Sequence, residues 1–207
     1  MLVLFHAPQS RSSRFIWLLE EIGRPYDLRP VSIFRPLSGE GAPDARNPHP
    51  DKQAPCVMQG DEIVAESVAI ALYLTDAFPD AGLGPCVSEP GRGAYLTWLA
   101  WYAASVEPSI VASLMGELDG EGPGPAGKRR TYEMMVRRLE GALSSGPYLM
   151  GERFTAADVL ACSALQWARN AFPPSRTLDA YVARCEARPA AVRAAAKDGA
   201  SGVQSPT

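Results

Sequence analysis

A chain of 207 residues, 46% hydrophobic and 21% charged, is long enough for one large domain or two small ones and has the balance of an ordinary soluble globular protein. Its net charge of −3 argues against nonspecific nucleic-acid binding, which needs a basic surface to displace counterions. No apolar run approaches the roughly 20 residues that span a bilayer, and the N-terminus lacks the features of a secretory signal, so a cytoplasmic location with no membrane partner is expected.

The first 23 residues read as a short apolar strand (Leu2 to Phe5), a turn marked by Pro8, and an amphipathic helix. Phe15, Leu18, Leu19 and Ile22 fall at the spacing of a buried helical stripe, whereas Glu20, Glu21 and Arg24 suit solvent. Ser10, Arg11, Ser12, Ser13 and Arg14 crowd the strand-to-helix junction. A helix start carries unpaired N–H groups and a partial positive charge, so hydroxyls there either cap the helix or help to hold an anion. A second strand is expected at Tyr26–Ile33, with Pro30 marking an edge position. Phe34–Gln53 reads as loop. Ala54–Met58 and Glu62–Ala65 read as a hairpin turning at Gln59-Gly60-Asp61, followed by a helix from Glu66-Ser67 to about Ala77. A helix joining neighbouring strands predicts a parallel crossover, to which the hairpin adds antiparallel strands.

Composition shifts to Pro, Gly, Asp and Ser over Phe78–Arg92, as in a linker. Domains are therefore expected at 1–78 and 93–207, with 79–92 between them. The second is helical throughout: Gly93 to about Leu118 interrupted near Pro108, a break at GEGPGPAG, Lys128–Ser144, a helix starting at Thr155 with Asp158 at N3 and Phe154 stapling onto Val159, Thr177–Cys185, and an alanine-rich segment from Pro189. The tail from Gly199 to Thr207 is expected to be mobile. Cys56, Cys86, Cys162 and Cys185 show no CxxC spacing and read as core or surface thiols. With His6 and His49 the only histidines, no metal centre is expected.

Two further features complete a pattern. In Gln53-Ala54-Pro55 a proline opens a strand, where it can be an edge residue or a cis-proline turning the Ala54 backbone toward a ligand. Glu66-Ser67, at the mouth of a helix, is either an ordinary cap or a carboxylate-binding site with an acid nearby for an amine. Together with SRSSRFIWLLEEIGRPYDL, NPHPDKQAPCV, GDEIVAESVAIALYL and ERFTAADVLACSAL, they resemble the glutathione transferase family over nearly the whole chain. The likeness is to serine-type, bacterial theta/beta-like members.

The resemblance implies an α/β plus all-α architecture, with a thioredoxin-like N-terminal domain before an all-helical one, and glutathione as cosubstrate. Ser10 looks like the serine that hydrogen-bonds the glutathione sulfur, with Ser12 and Ser13 as competing choices. Ala54 matches the residue whose backbone pairs with the cysteinyl portion, Pro55 the cis-proline, and Gln53 a position where many relatives have Lys near the glycyl carboxylate. Glu66 and Ser67 match the pair holding the γ-glutamyl ammonium and carboxylate. Many relatives read NPxGKxP where this chain has HPDKQAP, and the turn holds no Cys, which argues against disulfide exchange. Trp98, Trp101, Tyr102 and Val106 are either an apolar wall for a small hydrophobic electrophile or plain core. A detoxifying homodimer is implied. Isomerase or lyase chemistry using glutathione, or a non-catalytic binding protein of the same fold, stand as alternatives.

Overall fold

The computed structural model describes residues 1–36 and 38–201. The chain divides into two compact units, one formed by Met1–Ala81 with the C-terminal segment from Arg188, the other by Gly82–Ala187. The first holds strands β1 (Leu2–His6), β2 (Asp27–Pro30), β3 (Cys56–Gln59) and β4 (Glu62–Ala65), and helices α1 (Ser13–Ile22) and α2 (Ser67–Ala77). The second holds α3 (Arg92–Trp101), α4 (Glu107–Leu114), α5 (Pro123–Ser144), α6 (Ala156–Trp167) and α7 (Arg176–Glu186); α8 (Pro189–Ser201) returns to the first.

The sheet order is β2-β1-β3-β4, with β1 and β2 parallel and the other pairs antiparallel. This is the expected crossover plus hairpin. β1 is central and every residue of it is buried, which explains its unbroken apolar run. β2 is shorter than predicted, and Pro30 closes it on the sheet edge opposite His6, where a missing N–H disturbs no ladder. The segment 34–53 is irregular apart from a bridge between Arg35 and Glu40; Leu37 within it lies outside the described residues.

α1 carries the predicted stripe, but Ile16 and Trp17 are buried as well. The cause is α8, which covers the flank assigned to solvent, with the small Ala190 and Ala194 turned inward. α8 thus packs within the first compact unit. The expected mobile tail is helical from Gly199 to Ser201; residues 202–207 lie outside the described residues. Glu20 and Glu21 correspondingly face cations: Arg188, just before α8, meets Glu21 at 2.6 and 2.8 Å, while Arg193 and Lys197 of α8 reach Glu20 at 2.8 and 2.5 Å.

Burial pushes the Glu20 carboxyl up, but hydrogen bonds from Lys197, Arg193 and Tyr26 outweigh it and hold the group below its ordinary value of 4.5. A carboxyl lowered by folding contributes stability above that value and loses it as pH falls through the folded one. Hydrogen-exchange protection of α8 is therefore expected to weaken as pH drops below about 4.5, and Glu20→Gln should flatten that step. Protection that is unchanged down to the acid limit of folding would mean that apolar packing alone holds α8.

In the second unit the long helix expected from Gly93 runs through a π-helical turn, Tyr102–Val106, into α4. Pro108 follows that turn at the second position of α4, and its missing N–H leaves a carbonyl of the π-helical turn without a helical donor. α5 begins at Pro123 rather than Lys128: a proline in a true first turn lacks only an N–H with no intrahelical acceptor, so the expected breaker supplies that turn. The expected linker is docked: Leu83 is buried, its carbonyl accepts from Ala156 N–H at 2.8 Å, and Arg153 donates to the Gly82 and Gly84 carbonyls at 3.1 and 2.9 Å. A Cβ at Gly84 would come within 2.9 Å of the Tyr95 ring, which explains a glycine there.

α6 runs through the middle of this unit, with Ala156–Cys162 all buried. Its predicted start is present, with Thr155 as N-cap and Asp158 at N3. The Phe154 ring packs edge-on against Tyr148, with centroids 5.3 Å apart. Among the described residues no helix is long and apolar enough to cross a membrane.

Candidate functional site

Register decides which segments meet. Cys56 pairs with Phe5 on one side and Ala65 on the other, both antiparallel. The C-terminal ends of β1 and β4 and the N-terminal end of β3 therefore share one end of the sheet. The serine turn after His6, the Ala54-Pro55 step before Cys56 and the Glu66-Ser67 step after Ala65 all open there. Ligands of open α/β sheets bind at such carboxyl ends, beside helix starts.

The turn is a closed network. Ser12 has no exposed surface, and its Oγ lies 2.9 Å from His6 Nδ1, 3.0 Å from Ala7 N, 3.0 Å from Ala7 O and 2.8 Å from Ser10 Oγ. Ser12 thus cannot compete for a sulfur as the sequence allowed, because its hydroxyl faces inward. Ser13 Oγ donates to Asp198 of α8 at 3.0 Å. Ser10 is half-buried; its Oγ accepts the Ser12 N–H at 3.1 Å, and its carbonyl accepts the Ser13 N–H at 3.0 Å. Ser12 is the N-cap of α1 and makes no side-chain cap bond, so the serines do not cap the helix in the ordinary way; Ser10 instead closes the turn ahead of it. Arg35 donates to the Pro8 and Gln9 carbonyls at 2.6 and 3.1 Å, fixing the turn from the long loop.

The Ala54–Pro55 bond is cis, Pro55 is buried, and Gln53 and Ala54 are half-buried. Upstream, fully buried Asn47 donates to the Gln53 carbonyl at 2.8 Å and accepts the His49 N–H at 3.1 Å, while Lys52 Nζ donates to the Asn47 carbonyl at 2.7 Å. Lys52 stands where the relatives' motif has Gly and takes φ 54°, a left-handed conformation that most side chains avoid. Glu66, exposed at the N-cap of α2, has φ 70°, and Gln9 in the serine turn has φ 53°. Among the described residues these three are the non-glycine positions with positive φ, and all lie at this end of the sheet. Such strain gathers where a ligand must be met. Ser67, half-buried, is the first residue of α2, whose opening N–H groups offer an anion site.

Cys56, next to Pro55, packs inward with Val3, Phe5 and Val31, and burial pushes its thiol up to about 11; it is no nucleophile. In the helical unit, Trp98 and Trp101 are half-buried and meet edge-on at 5.3 Å, with the Arg138 guanidinium 4.8 and 4.3 Å from their ring centroids. Tyr102 and Val106 are 3% and 2% exposed, so these two of the four proposed wall residues are core.

Sequence reasoning passed over His6, Asp198, Asn47, Lys52 and Arg35. A histidine closing an apolar strand was visible, and so was an Asn six residues before Gln53. No local pattern links His6 to Asp198, 192 positions later.

Comparison with known proteins agrees with this frame. Residues 4–83 match the family model for the glutathione S-transferase N-terminal domain, and residues 100–193 that for the C-terminal domain. Glutathione S-transferase 3 of Schizosaccharomyces pombe is 27% identical over 182 residues, 78% of this chain and 72% of that protein. Glutathione S-transferase GstA of Escherichia coli O157:H7 is 26% identical over 166 residues, 80% of this chain and 81% of that one. A crystal structure of a glutathione S-transferase from Actinobacillus pleuropneumoniae has a TM-score of 0.83 at 25% identity, covering 96% of this chain and 93% of that one. With both domain models matched over most of its length, the chain belongs to the glutathione S-transferase family.

Proposed function

We propose that this chain is a serine-type glutathione transferase that activates the glutathione thiol for attack on a small hydrophobic electrophile. The observation that supports it is the convergence of Ser10, Ala54-Pro55 and Glu66-Ser67 at one end of the sheet. A free thiol has a pKa of about 8.5, so only a few per cent is thiolate near neutrality. The Ser10 hydroxyl donates to the sulfur and stabilises the charge as it forms, aided by the start of α1; each pKa unit gained is about 1.36 kcal/mol. The backbone of Ala54 pairs with the cysteinyl portion and Gln53 approaches the glycyl carboxylate. The first N–H groups of α2 with Ser67 hold the γ-glutamyl carboxylate, and Glu66 its ammonium. Trp98 and Trp101, with Arg138 against them, are the groups we assign to the electrophile.

The test is retention on immobilised glutathione together with conjugation of a dinitrobenzene-type electrophile. Retention with conjugation is the expected result. Retention without it would favour isomerase or lyase chemistry, or a binding protein of the same fold; loss of both would remove the site assignment. We also propose a homodimer in the cytoplasm with a detoxifying role, and a scattering mass near the 22.2 kDa of one chain would remove the dimer.

A further inference from the structure

The serine turn raises a question that hydrogen-bond donation alone does not answer: where the thiol proton goes. His6 is fully buried, and its two ring nitrogens face different partners: Nδ1 lies 2.9 Å from Ser12 Oγ and Nε2 lies 2.9 Å from Asp198 Oδ1. The second is a close charge contact, in which Nε2 makes no hydrogen bond. Burial pushes the Asp198 carboxyl up, but His6 and Ser13 outweigh it and leave it below the ordinary carboxylate range. A carboxylate at this distance repels a lone pair, so Nε2 carries a proton and Nδ1 presents its lone pair to Ser12. The other charges where α1 meets α8 are engaged with one another, Arg188 with Glu21 and Arg193 and Lys197 with Glu20. On the flanking strand, Arg29 lies over the Phe5 ring at 5.8 Å, and Arg14 of α1 is buried.

We propose that Asp198, His6, Ser12 and Ser10 form a proton relay that takes the thiol proton of bound glutathione inward to His6. The proposal rests on Ser10 being the residue that meets the sulfur. Before transfer, Ser10 accepts the thiol S–H and the Ser12 N–H and donates to Ser12; Ser12 accepts from Ala7 N–H and Ser10 and donates to His6 Nδ1. In the transfer the S–H bond breaks and its proton joins Ser10, the Ser10 proton passes to Ser12, and the Ser12 proton passes to Nδ1. Afterwards Ser10 donates to the thiolate and accepts from the Ser12 N–H and hydroxyl, while Ser12 accepts from Ala7 N–H and the imidazolium. Each hydroxyl donates once and accepts twice in both states, and the Ala7 carbonyl, 3.0 Å from Ser12 Oγ, competes with His6 Nδ1 for the Ser12 proton. The products are a thiolate at the helix start and an imidazolium beside the Asp198 carboxylate.

The same Ser, His and Asp types make hydrolytic triads, but Ser12 is sealed from solvent and cannot attack a substrate. His6 and Asp198 act through the two serines and are positioning residues. An ordinary thiol titrates about two units above an ordinary imidazole, so the transfer depends on the charge partners at both ends.

The experiment needs only the full chain and reduced glutathione. In weak buffer near neutrality, thiolate is followed by its ultraviolet absorbance and released protons by an indicator dye. The relay predicts thiolate formation with far less than one proton released per thiolate. One proton released for each thiolate would overturn the relay while leaving the transferase reading intact; absence of binding would remove both. In His6→Asn and Asp198→Asn, the apparent pKa of the bound thiol should rise by about one unit or more, the order expected for losing an opposite charge, with a larger fall in kcat than rise in KM. Variants that fold and keep the parental pKa would also overturn it. Should either variant fail to fold, the wild-type proton count still decides.

Discussion

Replacing Ser10 by alanine is expected to lower kcat/KM for conjugation by about 100- to 1,000-fold, the cost of removing one preorganised donor at a developing anion. Retention on immobilised glutathione should be largely preserved, because the γ-glutamyl, cysteinyl and glycyl contacts assigned to Ser67, Glu66, Ala54 and Gln53 remain. Ser10 Oγ also accepts the Ser12 N–H at 3.1 Å, so its loss should cost about 1 kcal/mol of stability, as at an N-cap. Ser13→Ala removes a hydrogen bond to Asp198 on the flank of the turn and should lower kcat/KM only a few-fold. Ser12→Ala is a different kind of change. It leaves the Ala7 N–H, Ser10 and His6 Nδ1 without their shared partner in a sealed site, and should cost about 1–3 kcal/mol of stability besides activity. Steady-state kinetics of the three variants, each with its denaturation midpoint, separate these outcomes. Equal losses from Ser10→Ala and Ser13→Ala would mean that the turn as a whole, rather than one hydroxyl, meets the sulfur.

The elements that organise the N-terminal unit were legible because each depends on neighbours in sequence. The stripe of α1, the hairpin at Gly60 and the edge position of Pro30 follow from period, turn chemistry and a missing N–H. The convergence of three loops at one end of the sheet was legible only through resemblance, since register is a property of paired strands and not of any one segment. What could not be read has a shared cause in long-range contact. The period of α1 gives the width of one apolar stripe, yet Ile16 and Trp17 are buried because α8, more than 160 positions later, lies on the opposite flank. The same docking turned Glu20 and Glu21 from solvent-facing residues into partners of three cations and brought Asp198 to His6. Prolines misled in the opposite direction. Pro123 and Pro125 resembled breakers, but a proline in a first helical turn lacks only an N–H that had no intrahelical acceptor. The aromatic cluster was half legible: spacing put Trp98, Trp101, Tyr102 and Val106 on neighbouring turns, while burial alone separates the two tryptophans from the two core residues.

Asp158→Ala is expected to be the most damaging single change to folding, at about 4 kcal/mol or more against a total of roughly 5–15 kcal/mol for a domain. The carboxylate is fully buried, and four donors converge on it: Leu149 N–H at 2.8 Å, Thr155 N–H at 2.8 Å, Thr155 Oγ1 at 3.1 Å and Tyr181 Oη at 3.1 Å. These donors come from the loop before α6, from its N-cap and from α7, so one side chain joins three segments of the helical unit. Burial pushes the Asp158 carboxyl up, and the donors oppose that shift. Truncation leaves Leu149 N–H, Thr155 N–H and Thr155 Oγ1 without the carboxylate, while Tyr181 keeps the Asp158 carbonyl at 3.3 Å, and each orphaned group costs about 1–3 kcal/mol. Asp158→Asn keeps the shape and one acceptor but turns an amide donor toward groups that donate, so about half the loss is expected. Thr155→Ala, which keeps the carboxylate and the Leu149 and Tyr181 contacts, should cost about 1 kcal/mol. Urea denaturation checks the ranking: midpoints should fall in the order Thr155→Ala, Asp158→Asn, Asp158→Ala with unchanged m-values. An Asp158→Ala midpoint within error of the parent would show that packing of Ala156–Cys162, rather than this carboxylate, starts α6.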